Sequence, residues 1–296
     1  MKADNQILTP TLLKMNSSKD NFEPLSPSAT TGGGESLTIE TAIANLEGTD
    51  PGLRFYAAWW LGRFKVNEPR AITLLIQALA DELDRTPEGG YPLRRNAARA
   101  LGKLGSQSAV EALIQSLECS DYYVREAAAE SLGMLSDFRA IPALHNLLTT
   151  GLTGEELIIQ SAQSQPYESI LEALGSLGAL DSIPQIQLFL KHPTERVQYS
   201  AARAMYQLTG DSSYGERLVK ALAGNNLQLR RSALADLGAI GYFEAADAIT
   251  QTLAENSLKL IALKGLLEYE VKELTPPTPT LSDRVIKVMK LMDSLL

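Results

Sequence analysis

The residues of this chain best suited to chemistry are aromatic rings set beside guanidinium and carboxylate groups. Tyr91 stands just ahead of Arg94, Arg95 and Arg99. Asp121, Tyr122 and Tyr123 run into Arg125 and Glu126. Tyr167 adjoins Glu168, Arg203 precedes Tyr206, and Arg230 and Arg231 precede Asp236. Arg54, Phe55 and Tyr56 lead into Trp59 and Trp60. Tyr, Trp and Arg are the types most often found at binding hot spots. Rings can cover the face of a flat conjugated ligand, and arginines can take its acid groups in paired hydrogen bonds.

Other chemistries find little support. Nucleophilic catalysis of the Ser/His/Asp or Cys/His kind needs a histidine held against the nucleophile. His145 and His192 are the only histidines and lie far apart in ordinary contexts. Neither has a second ligand at metal spacing, so no zinc site is expected. Cys119 precedes a helix cap, but Glu118 and Asp121 oppose the lowering of its pKa that a helix N-terminus can produce. It reads as a structural or incidental thiol. No phosphate-binding loop or dinucleotide fingerprint is present.

The elements that position these residues recur. Leu93-Arg94-Arg95-Asn96-Ala97-Ala98-Arg99-Ala100-Leu101-Gly102 returns as Val124-Arg125-Glu126-Ala127-Ala128-Ala129-Glu130-Ser131-Leu132-Gly133. It returns again from Val197 and from Leu229, with looser copies from Leu53, Tyr167 and Leu258. The steps from 93 to 124, 167 to 197, 197 to 229 and 229 to 258 are 31, 30, 32 and 29 residues. A period near thirty marks a repeat array that works through an extended surface. Each unit reads as two antiparallel helices, with the repeated phrase as the second. In one of them Val124, Ala127, Ala128, Leu132 and Leu135 form one apolar face behind an Asp121 N-cap. Gly105, Gly133 and Gly178 are expected near helix ends, and Pro69, Pro142 and Pro184 in first turns. An arginine near the start of each second helix opposes the helix dipole. Arg54, Arg125 and Arg230 are therefore expected to pair with capping aspartates, as the spacings Asp50–Arg54 and Asp121–Arg125 allow.

Composition sets the outer bounds. The 296 residues are 45% hydrophobic and 6% aromatic, which suits close-packed Ala- and Leu-rich helices. A net charge of −8 argues against nucleic-acid binding, which needs a basic face. A single cysteine excludes an internal disulfide and fits a reducing compartment. No apolar stretch approaches the length of a membrane span, and no secretory signal is legible. The expectation is a cytoplasmic protein without integral membrane contact.

Three regions follow. Residues 1–36, rich in Ser, Thr, Pro and Gly, read as a flexible segment with one short helix near Ile7–Met15. Residues 37–274 form the array. Residues 275–296 read as a Pro-rich linker, with Pro276, Pro277 and Pro279, and a short helix capping the last apolar face. Two inserts, 81–92 and 149–166, interrupt the units and are expected on one face.

At these same residues the chain resembles a known family. The carriers are Tyr91-Pro92-Leu93-Arg94-Arg95-Asn96, Cys119-Ser120-Asp121-Tyr122-Tyr123-Val124-Arg125-Glu126, Pro166-Tyr167-Glu168, Arg203-Ala204-Met205-Tyr206-Gln207-Leu208-Thr209, Leu229-Arg230-Arg231-Ser232 and Glu255-Asn256-Ser257-Leu258-Lys259-Leu260. Together, over about residues 37–272, they resemble the E-type subunits of heterodimeric phycobilin lyases. The resemblance implies an all-α, right-handed superhelical solenoid of HEAT-like (armadillo-type) helical hairpins. It implies a cyanobacterial enzyme that joins phycocyanobilin, as substrate and not cofactor, through a thioether to a cysteine of the phycocyanin alpha apoprotein. An F-type lyase subunit is the implied partner, and the reacting thiol belongs to the acceptor.

On that resemblance Arg94, Arg95, Arg125, Arg203, Arg230 and Arg231 are candidates for the bilin propionates. Tyr91, Tyr122, Tyr123, Tyr167, Tyr206 and Trp60 are candidates to line the groove. Asp121, Glu126, Glu168 and Asp236 are candidates to face the pyrrole nitrogens or donate a proton. Two other readings stand beside it: a phycoerythrocyanin-type lyase-isomerase subunit, and a non-enzymatic helical-repeat scaffold that binds phycobiliproteins during antenna disassembly.

Overall fold

A computed structural model describes residues 37–150, 152–153, 156–157, 164–273 and 281–296. The expectations for residues 1–36, for most of the second insert and for the prolines at 276–279 fall outside them. Residues 37–296 form one compact unit. Its helices pair in chain order: α1 (Ile39–Glu47) with α2 (Pro51–Arg63), α3 (Pro69–Ala78) with α4 (Pro92–Leu104), and α5 (Val110–Ser116) with α6 (Tyr122–Leu135). Then come α7 (Ile141–Thr149) with α8 (Tyr167–Ser176), α9 (Ile183–Phe189) with α10 (Glu195–Thr209), and α11 (Ser212–Leu222) with α12 (Leu227–Ala239). Helix α13 (Ala246–Gln251) pairs with α14 (Asn256–Glu273), and α15 (Asp283–Asp293) follows. The second helix of each pair stacks on the second helix of the next, so the even-numbered helices form one continuous layer. This is an all-α solenoid of helical hairpins. Inside the second insert, β1 (Leu152–Thr153) and β2 (Glu156–Leu157) make a minimal antiparallel pair.

Local sequence explains the helix limits. Asp50 accepts from the Leu53 N–H, Asp121 from Tyr123, and Asn226 from Gln228 and Leu229, each satisfying an N–H that the first turn leaves unpaired. Pro51, Pro69 and Pro92 occupy first turns, where no N–H is missed. Helices α4 and α10 end at Gly105 and Gly210 in the left-handed region that glycine enters without strain. At the C-terminal end, α15 buries Val285 and Val288 against α13 and α14, held by Arg284 on the buried Glu270 carboxylate.

Ser136 is the left-handed stop of α6, and Gly133, near that end as expected, does a different job. It lies inside α6, where the next backbone is so close that a Cβ would sit 3.1 Å from Ala173 Cα. The same contact recurs along the layer as Gly62 on Ala100, Gly102 on Ser131, Gly175 on Ala204 and Gly238 on Ala262. Counted from Leu53, Leu93, Val124 and Leu229 the glycine falls nine residues on, and counted from Leu93, Val124 and Val197 the small partner falls seven on. In the looser copy from Tyr167 both come one residue earlier, as Gly175 and Ala173.

One joint breaks the rule. Between α10 and α12 the glycine position holds Tyr206 and the small position holds Asp236. These helices touch less than their neighbours do, and α11 packs on both. The apolar core divides there. One cluster runs from Ala42 to Met205 and the other from Ala202 to Val288.

Candidate functional site

The repeat places two residues per second helix, one turn apart, in equivalent positions two and six residues after the opening residue. They are Phe55 and Trp59 on α2, Arg95 and Arg99 on α4, and Glu126 and Glu130 on α6. Next come Glu168 and Glu172 on α8, one and five residues after Tyr167 in that looser copy, then Tyr199 and Arg203 on α10, and Arg231 and Ala235 on α12. Residues four apart share a helix face. The close stacking of the layer then brings these pairs into one row of rings and charges.

The row is knit across helices. Arg99 reaches Glu126 at 3.4 Å and Glu130 at 3.7 Å. Ser169 donates to Glu130 at 3.5 Å. Arg196 makes three ion pairs, to Glu168 at 3.1 Å, Glu172 at 2.8 Å and Asp236 at 2.5 Å. Arg203 bridges Glu172 at 3.1 Å and Asp236 at 3.0 Å. Only 1% of the Asp236 side chain is exposed. Burial alone would raise its carboxyl pKa. The two guanidiniums overcome that and hold it below the ordinary range. The same carboxylates outweigh the burial of Arg196 and keep it firmly charged. Asp236 is thus locked as an anion and is a poor proton donor.

Tyr122 and Tyr123 sit where the row changes sign. Their rings meet edge to face at 5.4 Å. Burial, reinforced by Glu126 and Glu168, pushes the Tyr122 hydroxyl up to about 12, so it stays a neutral donor. Tyr123 is exposed, with the Arg95 guanidinium 5.7 Å from its ring centre. Burial and then the Arg99 charge oppose the charge on Arg95.

Several candidates prove to hold the scaffold together. Arg94 grips the Asp81 carbonyl at 2.6 Å, pairs with Glu82 and covers the Tyr91 ring at 4.0 Å. Arg125 donates to the carbonyls of Cys119 (2.7 Å), Ser120 (3.0 Å) and Ser164 (2.8 Å). Arg230 donates to Gly224 O at 2.7 Å and Leu253 O at 2.9 Å. The expected ladder of Asp50 to Arg54 and Asp121 to Arg125 therefore does not form. The caps spend their oxygens on backbone N–H groups, and Arg54 turns instead to Leu46 O and to Asp81 at 2.8 Å.

Asp121 is committed in the same way, accepting from Tyr91 N at 2.7 Å and Tyr123 N at 2.8 Å. Tyr91 is buried, with its hydroxyl on Glu82. Tyr167 is buried against Phe189 and His192. Tyr206 packs edge-on against Tyr242, Trp60 packs on Phe64, and Arg231, at the α12 end of the row, is taken up by the exposed Glu255. His145 bonds Ser182 Oγ at 2.9 Å and His192 is buried, so neither histidine meets a nucleophile in the row.

What the row retains from the candidates is Arg95, Tyr122, Tyr123, Glu126, Glu168, Arg203 and Asp236. Sequence reading missed Arg196 and Glu172, and named Trp59 only within the aromatic set of the first joint. For Glu172 a signal existed, since it follows Glu168 at the four-residue spacing that Arg95–Arg99 and Glu126–Glu130 share. Arg196 precedes its phrase and carried no such mark.

The comparisons agree with this architecture. Residues 91–164 match the family described as HEAT repeats, and residues 53–81 match the PBS lyase HEAT-like repeat. The phycocyanobilin lyase subunit alpha of Nostoc sp. (strain PCC 7120) is 60% identical over 269 residues, covering 89% of this chain and 95% of that protein. Bilin biosynthesis protein PecE of the same organism is 50% identical over 233 residues, covering 78% of this chain and 87% of that protein. Among solved structures, a chain from the complex of CpcE and CpcF of phycocyanin lyase from Nostoc sp. PCC7120 matches at 58% identity. Its TM-score is 0.80, with 92% of this chain and 100% of that chain covered. The chain is a HEAT-repeat solenoid of the bilin-lyase type. It belongs to the phycocyanobilin lyase subunit alpha family.

Proposed function

We propose that this chain is one subunit of a heterodimeric lyase that attaches phycocyanobilin through a thioether to a cysteine of the phycocyanin alpha subunit. Its partner is an F-type subunit of the same architecture, and its place is the cyanobacterial cytosol. The observation that carries the reading is the row from Arg95 to Asp236, which sets tyrosine rings beside ordered charges with no histidine-paired nucleophile among the described residues.

In the reaction a thiolate sulfur of the acceptor adds to the ethylidene carbon of the bilin. A C–S bond forms, the double bond's electron pair takes up a proton, and nothing leaves. The lyase must hold a long conjugated acid in one conformation, where orientation can supply several kcal/mol. It must also pair protonation with addition. Tyr122, kept neutral, can donate to a bilin oxygen. Glu126 and Glu168 flank it and can face the pyrrole N–H groups. Asp236 acts through Arg196 and Arg203, fixing their positions.

The higher identity to the alpha subunit than to PecE favours attachment without isomerisation. The test is reconstitution with a candidate F-type partner, phycocyanobilin and alpha-phycocyanin apoprotein, read by denaturing electrophoresis and bilin fluorescence. A covalent adduct that needs both subunits and the acceptor cysteine supports the lyase. Its absorption separates attachment from isomerisation. With all components folded, no partner-dependent adduct would leave the non-enzymatic scaffold.

A further inference from the structure

Arginines in this protein are almost uniformly satisfied. Arg54, Arg94, Arg125, Arg217 and Arg230 donate to backbone carbonyls, and Arg99, Arg196, Arg203 and Arg231 reach carboxylates. Arg63 and Arg85 are without such partners but lie exposed in water. Arg95 differs from both groups. It is partly buried on α4, its Nε is shielded from solvent without a hydrogen-bond partner, and no carboxylate lies within ion-pair distance among the described residues. A guanidinium presents five N–H donors in a rigid fork. Leaving such a charge half-buried and unpaired is costly, unless a ligand brings the acceptor.

The surroundings define that ligand. The guanidinium lies 5.7 Å from the centre of the exposed Tyr123 ring, so an acid group at Arg95 would belong to a molecule able to run along an aromatic face. Glu126, one helix along, engages Arg99 at 3.4 Å, which leaves Arg95 as the cation at this end of the row available to an incoming anion. We propose that Arg95 binds a propionate carboxylate of the bilin through its guanidinium fork, with Tyr123 beside it bearing on the tetrapyrrole. This rests on the bilin-lyase reading and narrows the candidate arginines to one. The other five candidates already have acceptors on this chain.

The test compares phycocyanobilin with its propionate dimethyl ester, titrated spectroscopically into the complex of this chain with its F-type partner. Wild-type complex is expected to bind the free acid about tenfold or more tighter than the ester, the fold-change of a charge-assisted hydrogen-bond pair. Arg95→Gln should abolish that preference by weakening the acid while leaving the ester unchanged. Arg95→Lys, which keeps charge but loses the fork, should fall between.

Equal loss for acid and ester in Arg95→Gln would make the residue structural and overturn the assignment. So would an undiminished preference in both variants. A variant that binds both bilins normally but assembles poorly with the partner would assign Arg95 to a protein carboxylate. Wild-type complex that transfers bilin while Arg95→Gln keeps the acid preference sinks this proposal alone. Wild-type complex that binds no bilin sinks it together with the lyase reading.

Discussion

The α10–α12 joint and the joints before it solve one problem in opposite ways. From α2 to α10, and again from α12 to α14, a glycine lies on a small residue of the next second helix and the backbones nearly touch. Dispersion and burial then act over many short contacts, and the core is continuous. At α10–α12, Tyr206 and Asp236 stand in those two positions and the backbones cannot close. The space takes Arg196 and Arg203, whose charges require Asp236, Glu172 and Glu168 around them. A close-packed joint is specified by size alone. An ionic joint is specified by partners and fails when one is missing. The row of rings and charges crosses both kinds, so its geometry depends on how firmly the ionic joint is locked.

Removing the acid at that joint should have the largest effect. Asp236→Ala leaves two half-buried guanidiniums short of their shared anion, and losing one partner of a buried pair costs about 3–5 kcal/mol. Urea denaturation should show that loss. A variant as stable as the parent would mean that water or other carboxylates relieve the arginines, and that the joint is not locked by Asp236.

The apolar joints should be less sensitive, and to a different change. A Cβ on Gly102 would lie 2.7 Å from Ser131 Cβ and 2.8 Å from its Cα, which is too close for any side chain. Gly102→Ala must push α4 and α6 apart, and such overpacking costs about 1–3 kcal/mol. The same denaturation measurement applies. An unchanged midpoint would show that these joints open as easily as the ionic one, and the contrast would collapse.

The two kinds of joint should also part company in acid. The Asp236 carboxyl is depressed in the folded chain, because Arg196 and Arg203 outweigh its burial. Its contribution is therefore fully present above the unfolded carboxyl value, about 3.9, and is lost as pH falls through the lower folded value. Stability measured from pH 5 downward should decline more steeply in the parent than in Asp236→Asn, which has no proton to gain there. Gly102→Ala should lower the whole curve and leave its acid slope alone. Parallel curves for the parent and Asp236→Asn would remove Asp236 from the acid response.

Much of this was legible in the sequence, and for definite reasons. The thirty-residue period fixed the helical pairs because each phrase carries its own cap, apolar face and stop. The aromatic and charged joints were visible as a set. Their division into scaffold and surface was not. Arg94, Arg125 and Arg230 look like ligand residues in sequence, yet each turns its donors to loop carbonyls that only the folded chain brings near. Arg95, next to one of them, lies by the Tyr123 ring with its Nε unpartnered. The ionic joint was written in the register, as Tyr206 for glycine and Asp236 for alanine. It becomes readable only once those positions are known to be the points of closest approach.

The register yields one more test, with the smallest expected effect. Left-handed residues punctuate the units at Gly105, Gly178, Gly210 and Gly241, and after α6 the corresponding stop is Ser136, with φ of 54°. A side chain in that region costs roughly 1–2 kcal/mol relative to glycine, while glycine gives back about 0.5–1 kcal/mol through its freer unfolded chain. Ser136→Gly should therefore stabilise the protein by at most about 1 kcal/mol, seen as a small rise in Tm. The Ser136 side chain makes no hydrogen bond among the described residues that the change would remove. A destabilised variant would mean that the apolar joints draw on more than the shape of their small residues, and that α6 ends by a device its neighbours lack.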